Sequence, residues 1–331
     1  MHNSKKSSKF AANFKLAYCG LMTIAIFGNA MKPQTLTEVQ HILAFMEAKG
    51  INVVLSHELR QELNLRDYPS FEHTYPKGTT ISDLQNQNTD FVFHEKTNFE
   101  PIDFALSIGG DGTFLTSAAA IGKKNIPILG INCGHLGFLA EVQSDDVDAI
   151  LQQLIDGKYT IEQRSLLNVS VFDKSGSLRD NIIMAPNALN EIAILKEGLS
   201  SMLQIELKVN GELLHTYNSD GLVIATPTGS TAYNLSIGGP LMAPQSRGII
   251  LTPIAPHSLT VKPLVVPDDW KFDIRVTSRY DAYMVSVDGR SQSLSTDMSL
   301  HVERAKYTIK VVQVGDNSFL KSLQNKLNWG K

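Results

Sequence analysis

The chain has 331 residues, enough for two domains with separate cores, and its 43% hydrophobic and 19% charged residues are those of an ordinary globular protein. A net charge of -3 leaves no basic footprint, which excludes nucleic acid as the expected partner. Two cysteines, Cys19 and Cys133, cannot build a disulfide framework, and they point to a reduced, cytoplasmic setting; no Cys/His constellation marks a metal site.

Lys5, Lys6 and Lys9 precede an apolar stretch from Leu16 to Phe27 and the small residues Gly28-Asn29-Ala30, a superficial likeness to a secretory signal. Gly20 interrupts that stretch and a helix pattern follows it. The expected reading is therefore a polar, basic extension over 1–20 and a first buried strand, Thr23 to Phe27. No run of about 18 uninterrupted apolar residues occurs, so no membrane-spanning helix is expected.

Thr35 to Lys49 carries Leu36, Val39, Ile42, Leu43 and Met46 on one helical face and stops at Gly50. Ile51 to Leu55 reads as a second strand. The stretch from Tyr68 to Lys96, with Pro69, Pro76, Gly78 and Asn86 to Thr89, reads as an irregular excursion. Alternation resumes with a strand over Ile102 to Ile108, a glycine loop, a helix to about Gly122, a strand over Ile126 to Ile131 and a helix over Asp145 to Gly157. This pattern predicts a doubly wound α/β domain over 21–143, its mostly parallel sheet covered by helices on both faces. Beyond it, short alternating runs (Val169 to Phe172, Asn190 to Leu195, Leu203 to Val209, Gly221 to Thr226, Val285 to Val287 and Tyr307 to Val312) predict a β-rich domain of two packed sheets over 144–314. Asn210-Gly211 is a hairpin signal. An amphipathic helix over Asn317 to Trp329, within the last segment 315–331, is assigned to the first domain.

The loop Gly109-Gly110-Asp111-Gly112-Thr113 turns a buried strand into a helix. Exposed backbone N–H groups and the positive end of a helix make such a loop a phosphate cradle. A carboxylate beside phosphates must organise a metal or take a proton from an attacking hydroxyl; otherwise Asp111 is only a helix cap. A second glycine-bearing loop, 130 to 138, follows the next strand, and both loops are expected at one crevice beyond the strand ends.

Residues 226 to 240, TPTGSTAYNLSIGGP, hold six hydroxyls in fifteen residues, and four more are Gly or Asn. That composition suits close wrapping of a polyhydroxylated, phosphorylated ligand. A helix is expected from Gly229, with Ser230 and Thr231 at its positive end. Asn190-Glu191 has the donors and acceptors to hold both hydroxyls of a ribose, or is simply a strand edge. Asn218-Ser219-Asp220-Gly221, the PHS at 256 to 258 and Asp288-Gly289-Arg290 are weak signals individually.

Together these residues resemble the NAD kinase family of bacterial type, over about residues 22 to 331. The likeness rests on GGDGTFL at 109 to 115, GINCGHLGFL at 130 to 139, Asn190-Glu191, SDGLVIATPTGSTAYNLSIGGP at 219 to 240, PHSLTVKPLV at 256 to 265 and VSVDGR at 285 to 290. GGDGT alone is shared with diacylglycerol, sphingosine and phosphofructokinase relatives; the long hydroxyl-rich block is far more specific.

The resemblance implies transfer of the ATP γ-phosphoryl group to the 2′-hydroxyl of the adenosine ribose of NAD, giving NADP. Asp111 would be the general base, and Gly109, Gly110, Gly112 and Thr113 would face the donor phosphates, whose charge Mg²⁺ or a similar divalent ion offsets. Asp111, Gly112, Phe138, Asn190, Glu191, Asp220, Thr231, Ala232, Tyr233 and Ser236 would line the NAD site in the β-rich domain. Ser201, Asn218, Asn234, Leu235 and Arg290 join them by position. Several family members carry Arg where Asn218 stands, and some bacterial relatives carry His where Ser201 stands. A cytoplasmic homodimer or homotetramer is implied, neighbouring subunits completing the site, with no membrane or nucleic-acid partner. A lipid kinase of the diacylglycerol type would show a basic or apolar docking surface, which the mildly acidic composition does not supply. A non-catalytic NAD(P)-binding regulator would have no need of Asp111.

Overall fold

The computed structural model describes residues 22–71, 102–134, 137–140, 142–143, 146–180, 182–183, 185–198, 202–315 and 319–329. The extension 1–20 with Cys19, most of the excursion 68–96, and Ser201 lie outside these residues. The described chain forms two compact units, one holding the residues up to 162 and from 310 onward, the other residues 163–309.

The first unit is built on parallel strands β1 (Thr23–Gly28), β2 (Asn52–Ser56), β3 (Ser70–Phe71), β4 (Phe104–Ile108) and β5 (Ile128–Asn132), in the order β3-β2-β1-β4-β5. Pairing is parallel throughout, with Ile24 opposite Val53 on one side and Phe104 on the other. The short β6 (Val142–Gln143) pairs with β5, also in parallel. Helix α1 (Pro33–Lys49) begins with proline in its first turn and ends at Gly50 in the left-handed region, φ 66°, whose N–H closes on the Glu47 and Met46 carbonyls. A short α2 (His57–Glu62) follows β2.

Strand alternation places the helices. Ile24, Ile26, Leu106, Ile108, Leu129 and Ile131 share one core with Val39, Ile42, Leu43 and Met46 of α1 and with Val147, Ile150, Leu151 and Leu154 of α4 (Val147–Ile155). On the opposite face, helix α3 (Asp111–Ile121) sets Ser117 against Ser107, Oγ to Oγ at 3.0 Å, and Phe114 against Gly130. Each fully buried aliphatic side chain contributes on the order of 2 kcal/mol relative to exposure. Helix α4 belongs to this core, and the first compact unit extends to residue 162. Strand order reverses between β1 and β4, and in an open parallel sheet the ligand crevice opens at such a point, beyond the carboxyl ends of the strands.

The second unit contains two antiparallel sheets. The long strand β7 (Tyr159–Phe172) leads into it and pairs with β8 (Asn187–Ala188). The remaining strands are β9 (Glu191–Lys196), β10 (Leu203–Val209), β11 (Glu212–Ser219), β12 (Gly221–Ala225), β13 (Ile249–Ile254), β14 (Leu264–Val266), β15 (Phe272–Thr277), β16 (Ala282–Val287), β17 (Arg290–Ser295) and β18 (Ser299–Val314). One sheet runs β14-β13-β12-β9-β16-β17; in the other, β11, β10, β15 and the first part of β18 pair in that order. Inward residues of both, including Ile192, Ile194, Ile205, Leu222, Phe272 and Tyr283, form one core. The Asn210-Gly211 hairpin is present with φ 49° and 88°, the values a two-residue primed turn requires.

The end of β18 returns to the first unit, where Val311 pairs with Ile128, and helix α6 (Phe319–Leu327) follows. The helix expected from Gly229 takes another form. A 3₁₀ turn, Thr228–Thr231, is followed by a four-residue α5 (Tyr233–Ser236), the two separated by Ala232 at ψ -133°. Gly238, Gly239 and Pro240 give α5 no room to continue.

Candidate active site

In the first unit the two glycine loops meet through Asp111. Its backbone opens α3, yet its side chain caps nothing in that helix, and Gly110 before it makes no side-chain cap either. The carboxylate instead reaches the return of the second loop. Oδ2 accepts the Phe138 N–H at 2.8 Å, and Oδ1 accepts the N–H groups of Leu139 at 2.9 Å and Ala140 at 3.2 Å. Asp111 is therefore not a mere cap but a bracket between consecutive strand-end loops.

Glycines make the bracket possible. A Cβ on Gly137 would lie 1.8 Å from Asp111 Oδ1, and one on Gly130 would lie 2.8 Å from Leu139 O and Ala140 Cα. Gly109, at φ 150°, has Thr113 Oγ1 2.4 Å from its Cβ position. Gly110 and Gly112 differ: neither has positive φ, and a Cβ on either would meet nothing within 4 Å. Packing and conformation leave these two positions free, so their bare backbone faces open space. The first-turn N–H groups of α3 have no intrahelical acceptor and lie beside that open space, an arrangement whose partial positive charge suits an anion.

Around this loop, Asn132 Oδ1 accepts the Gly134 N–H at 2.8 Å. Cys133 is half-buried, and burial, then the charge of Glu38, pushes its thiol up to about 11, so it stays protonated at neutral pH. From α6, Lys326 Nζ sits 4.3 Å from the centroid of the Phe138 ring, a cation–π contact that bears on the same loop.

In the second unit a different set of segments converges. Asn190 O accepts the Thr226 N–H at 2.8 Å, Thr226 Oγ1 donates to Leu189 O at 2.5 Å, and the Gly229 N–H donates back to Thr226 Oγ1 at 3.1 Å. Gly229 lies so close that a Cβ there would be 2.1 Å from Asn190 O. From the β16–β17 hairpin, Asp288 accepts the N–H groups of Leu189 and Asn190 at 2.8 Å each and of Glu191 at 3.1 Å. Glu191 is buried, with Oε2 lacking a hydrogen-bond partner, as does Thr228 Oγ1. Burial, and next the Asp288 charge, push the Glu191 carboxyl up to about 8.

Comparison with known proteins matches these two units one to one. The chain fits the ATP-NAD kinase N-terminal domain over residues 24–159 and the ATP-NAD kinase C-terminal domain over residues 189–314. The NAD kinase of Bacteroides fragilis is 41% identical over 310 residues, covering 93% of this chain and 98% of its own. This chain belongs to the NAD kinase family. The same fold occurs in yeast NADH kinase complexed with NADH (TM-score 0.77, 23% identity, 95% of this chain and 89% of that one) and in an Archaeoglobus fulgidus NAD kinase in complex with ATP (TM-score 0.66, 23% identity, 93% and 99%).

Of the residues that the NAD kinase resemblance assigns, the first unit brings together Gly109, Gly110, Asp111, Gly112, Thr113 and Phe138. The second unit brings together Asn190, Glu191, Arg290 and the turn with Thr231, Ala232, Tyr233, Leu235 and Ser236. On that turn Tyr233 and Ser236 are exposed and Thr231, Ala232 and Leu235 half-buried, with Thr231 Oγ1 donating to Thr228 O at 3.3 Å. Arg290 donates to the carbonyls of Ala185 and Asn187 at 3.4 and 3.3 Å.

Two positions stand apart. Asp220 precedes β12 while Thr226 follows it, and the register of Gly221 with Leu195 and Ala225 with Glu191 puts them at opposite strand ends, roughly 20 Å apart. Asp220 is paired there with Lys196 at 2.8 Å, and Asn218 lies further along the same end, its carbonyl accepting the His257 N–H.

Asn234 is 0% exposed, and its amide is fully used: it donates to Ser230 O at 3.2 Å and Pro240 O at 3.0 Å and accepts the Thr252 hydroxyl at 2.7 Å. In this fold it pins the hydroxyl-rich loop from behind. Asn234→Ala is expected to cost about 3 kcal/mol, because it strands buried partners, and to lower the melting temperature by roughly 10 °C in thermal unfolding. An unchanged melting curve would remove Asn234 from that role.

Sequence reasoning gives no individual role to Gly137 or to the N–H groups of Leu139 and Ala140, and it leaves Thr226 and Asp288 as parts of weaker signals. The first three meet the Asp111 side chain, whereas Thr226 and Asp288 act on the backbone of a distant segment, 97 to 99 residues away in the case of Asp288. No local composition marks such a role; only the order of the motifs does.

Proposed function

We propose that this NAD kinase transfers the γ-phosphoryl group of ATP to the 2′-hydroxyl of the adenosine ribose of NAD, with Asp111 as general base. The observation that carries the reading is the state of the Asp111 carboxylate. A carboxylate has about four lone-pair directions. Two on Oδ1 and one on Oδ2 are occupied by backbone N–H groups, which leaves Oδ2 one direction for an incoming hydroxyl. The carboxylate is held rigidly by backbone, so it meets the hydroxyl in one orientation, beside the open backbone of Gly110 and Gly112 that would face the donor phosphates.

The described residues contain no cluster of His, Cys, Asp and Glu able to hold a metal ion. In this reading ATP enters as its magnesium complex, a substrate whose ion would offset the charge of the donor phosphates. Asn190 and Glu191, set against Thr226–Gly229, hold the ribose, and Tyr233 and Ser236, the exposed residues of the turn at Thr231–Ser236, lie along the dinucleotide. Asp220 and Asn218, at the far end of β12, serve an NAD bound in a neighbouring copy of a homodimer or homotetramer. The enzyme works in the cytoplasm, in NADP synthesis. No helix among the described residues is long and apolar enough to cross a membrane.

The test is incubation of the purified chain with ATP, Mg²⁺ and NAD, read out by an NADP-specific dehydrogenase, with parallel arms using NADH as acceptor and polyphosphate as donor. NADP formation that requires ATP is expected; NADP binding without ATP-dependent turnover would overturn the reading in favour of a non-catalytic pocket.

A further inference from the structure

Each unit carries the same device: one Asp carboxylate that gathers three consecutive backbone N–H groups. Asp111 gathers those of 138–140, and Asp288 gathers those of 189–191. The second instance has no role in the reading given above. Asp288 occupies the first position of the β16–β17 turn at φ 47°, followed by Gly289 at φ 80°. Asn-Gly would make that turn equally well without a charge. The Asp288 side chain is only 2% exposed, so its charge carries a desolvation cost of several kcal/mol that a turn alone does not require.

What the charge provides is a fixed peptide. Charge-assisted bonds of 2.8–3.1 Å to three successive N–H groups leave the 189–191 backbone no freedom, and the Asp288 N–H returns a bond to Glu191 O at 3.1 Å. Arg290 supports Asp288 from the other side, Nη2 to Oδ2 at 3.9 Å. The held segment carries the Asn190 and Glu191 side chains.

We propose that Asp288 is a positioning residue for the acceptor ribose, holding Asn190 and Glu191 in place through their backbone N–H groups and acting through its charge on the Glu191 carboxyl. This rests on the reading of Asn190 and Glu191 as the ribose contacts. Glu191 and Asp288 are both raised by burial, but three N–H groups and Arg290 favour the anion on Asp288, whereas Glu191 Oε2 has no partner. Glu191 is therefore the carboxyl that keeps its proton at neutral pH, a neutral acid able to donate to a ribose oxygen. Asp288 is the charged group that bears on Glu191. Arg290 acts on Asp288, and the strands flanking β9 present Ala225 and Val287 at this end, neither of them titratable.

The experiment is steady-state kinetics of the whole enzyme across neutral and alkaline pH, with KM for NAD, KM for ATP and kcat resolved. In the native enzyme KM for NAD is expected to be flat and then to rise above pH of about 8, as Glu191 ionises. In Asp288→Asn, KM for NAD rises about tenfold, KM for ATP is unchanged, and the alkaline rise moves to lower pH because the charge opposing ionisation is gone. Glu191→Gln abolishes the rise. If Asp288→Asn does not fold, Arg290→Gln serves instead: with its counter-charge lost, Asp288 acts more strongly and the rise moves to higher pH. An Asp288→Asn enzyme with native KM and native pH profile overturns the proposal, as does an Arg290→Gln profile that does not move where that variant is the one available. Should Glu191→Gln itself keep the native KM and pH profile, the ribose reading fails first; loss of the rise in Glu191→Gln alone refutes only the role of Asp288.

Discussion

Asp111→Asn is expected to reduce NADP formation by roughly 10²–10⁴-fold, the span of a lost general base, while NAD still binds. The substitution keeps size and shape. Its amide oxygen can still accept from two of the three N–H groups that Asp111 holds, but its NH₂ must face the third, so the loop 138–140 loosens by one bond as well. The two consequences separate in measurement. Loss of the base lowers kcat without altering the affinity for NAD seen by calorimetry, whereas a loosened loop raises KM by disturbing Phe138. Near-normal turnover of the folded variant would show that the carboxylate serves only as a bracket. A fall in binding with kcat preserved would lead to the same conclusion by another route.

How far the fold is legible depends on whether the signal is local. β1, β4 and β5 are short, wholly buried and bounded by glycine or turns, and α1 has an apolar face and a glycine stop, so residue order alone locates them. β7 and β18 are legible only at their ends: Val169 to Phe172 for one and Tyr307 to Val312 for the other. The remainder of each alternates with charged and polar residues such as Glu162, Gln163, Arg304 and Lys306, because one face of a sandwich strand meets solvent. The strands at Ile249–Ile254 and Phe272–Thr277 escape the sequence reading, although Phe272, Ile274 and Val276 alternate cleanly with exposed neighbours.

The site divides in the same way. GGDGT announces a phosphate loop because backbone geometry and charge occur within five residues. Its actual partner, the backbone of 138–140, is 27 to 29 residues distant and contributes only N–H groups, which every residue type but proline supplies. The hydroxyl-rich block reads as a binding surface from its composition, yet composition cannot tell which polar groups turn inward. Asn234 and Ser230 do so, Ser230 Oγ bonding both Met242 O and Met242 N–H, while Tyr233 and Ser236 face out. Likewise, Asp220 lies only six positions before Thr226 in sequence, but the extended strand between them carries the two to opposite ends of the sheet.

Gly137→Ala should be nearly as damaging as loss of Asp111 itself, although alanine adds a single methyl group. The new Cβ would stand 1.8 Å from Asp111 Oδ1 and 2.4 Å from Cγ. A long side chain could swing aside at small cost, but Asp111 is short and tied to three N–H groups, so the carboxylate and the methyl cannot both keep their places. Evicting the carboxylate breaks those bonds and turns the base away from its substrate. The expected result is a loss of about 1–3 kcal/mol of stability and a fall in kcat of at least about 10²-fold. The cause is tested by removing the obstacle: in an Asp111→Ala background the carboxylate is gone, so Gly137→Ala should add close to nothing to the loss of stability. Additive effects in that cycle would mean that Gly137 is needed for the path of its own loop, and that the close approach to Asp111 is incidental. Strong non-additivity would tie the glycine of the second loop to the aspartate of the first, and with it the two loops into one catalytic element.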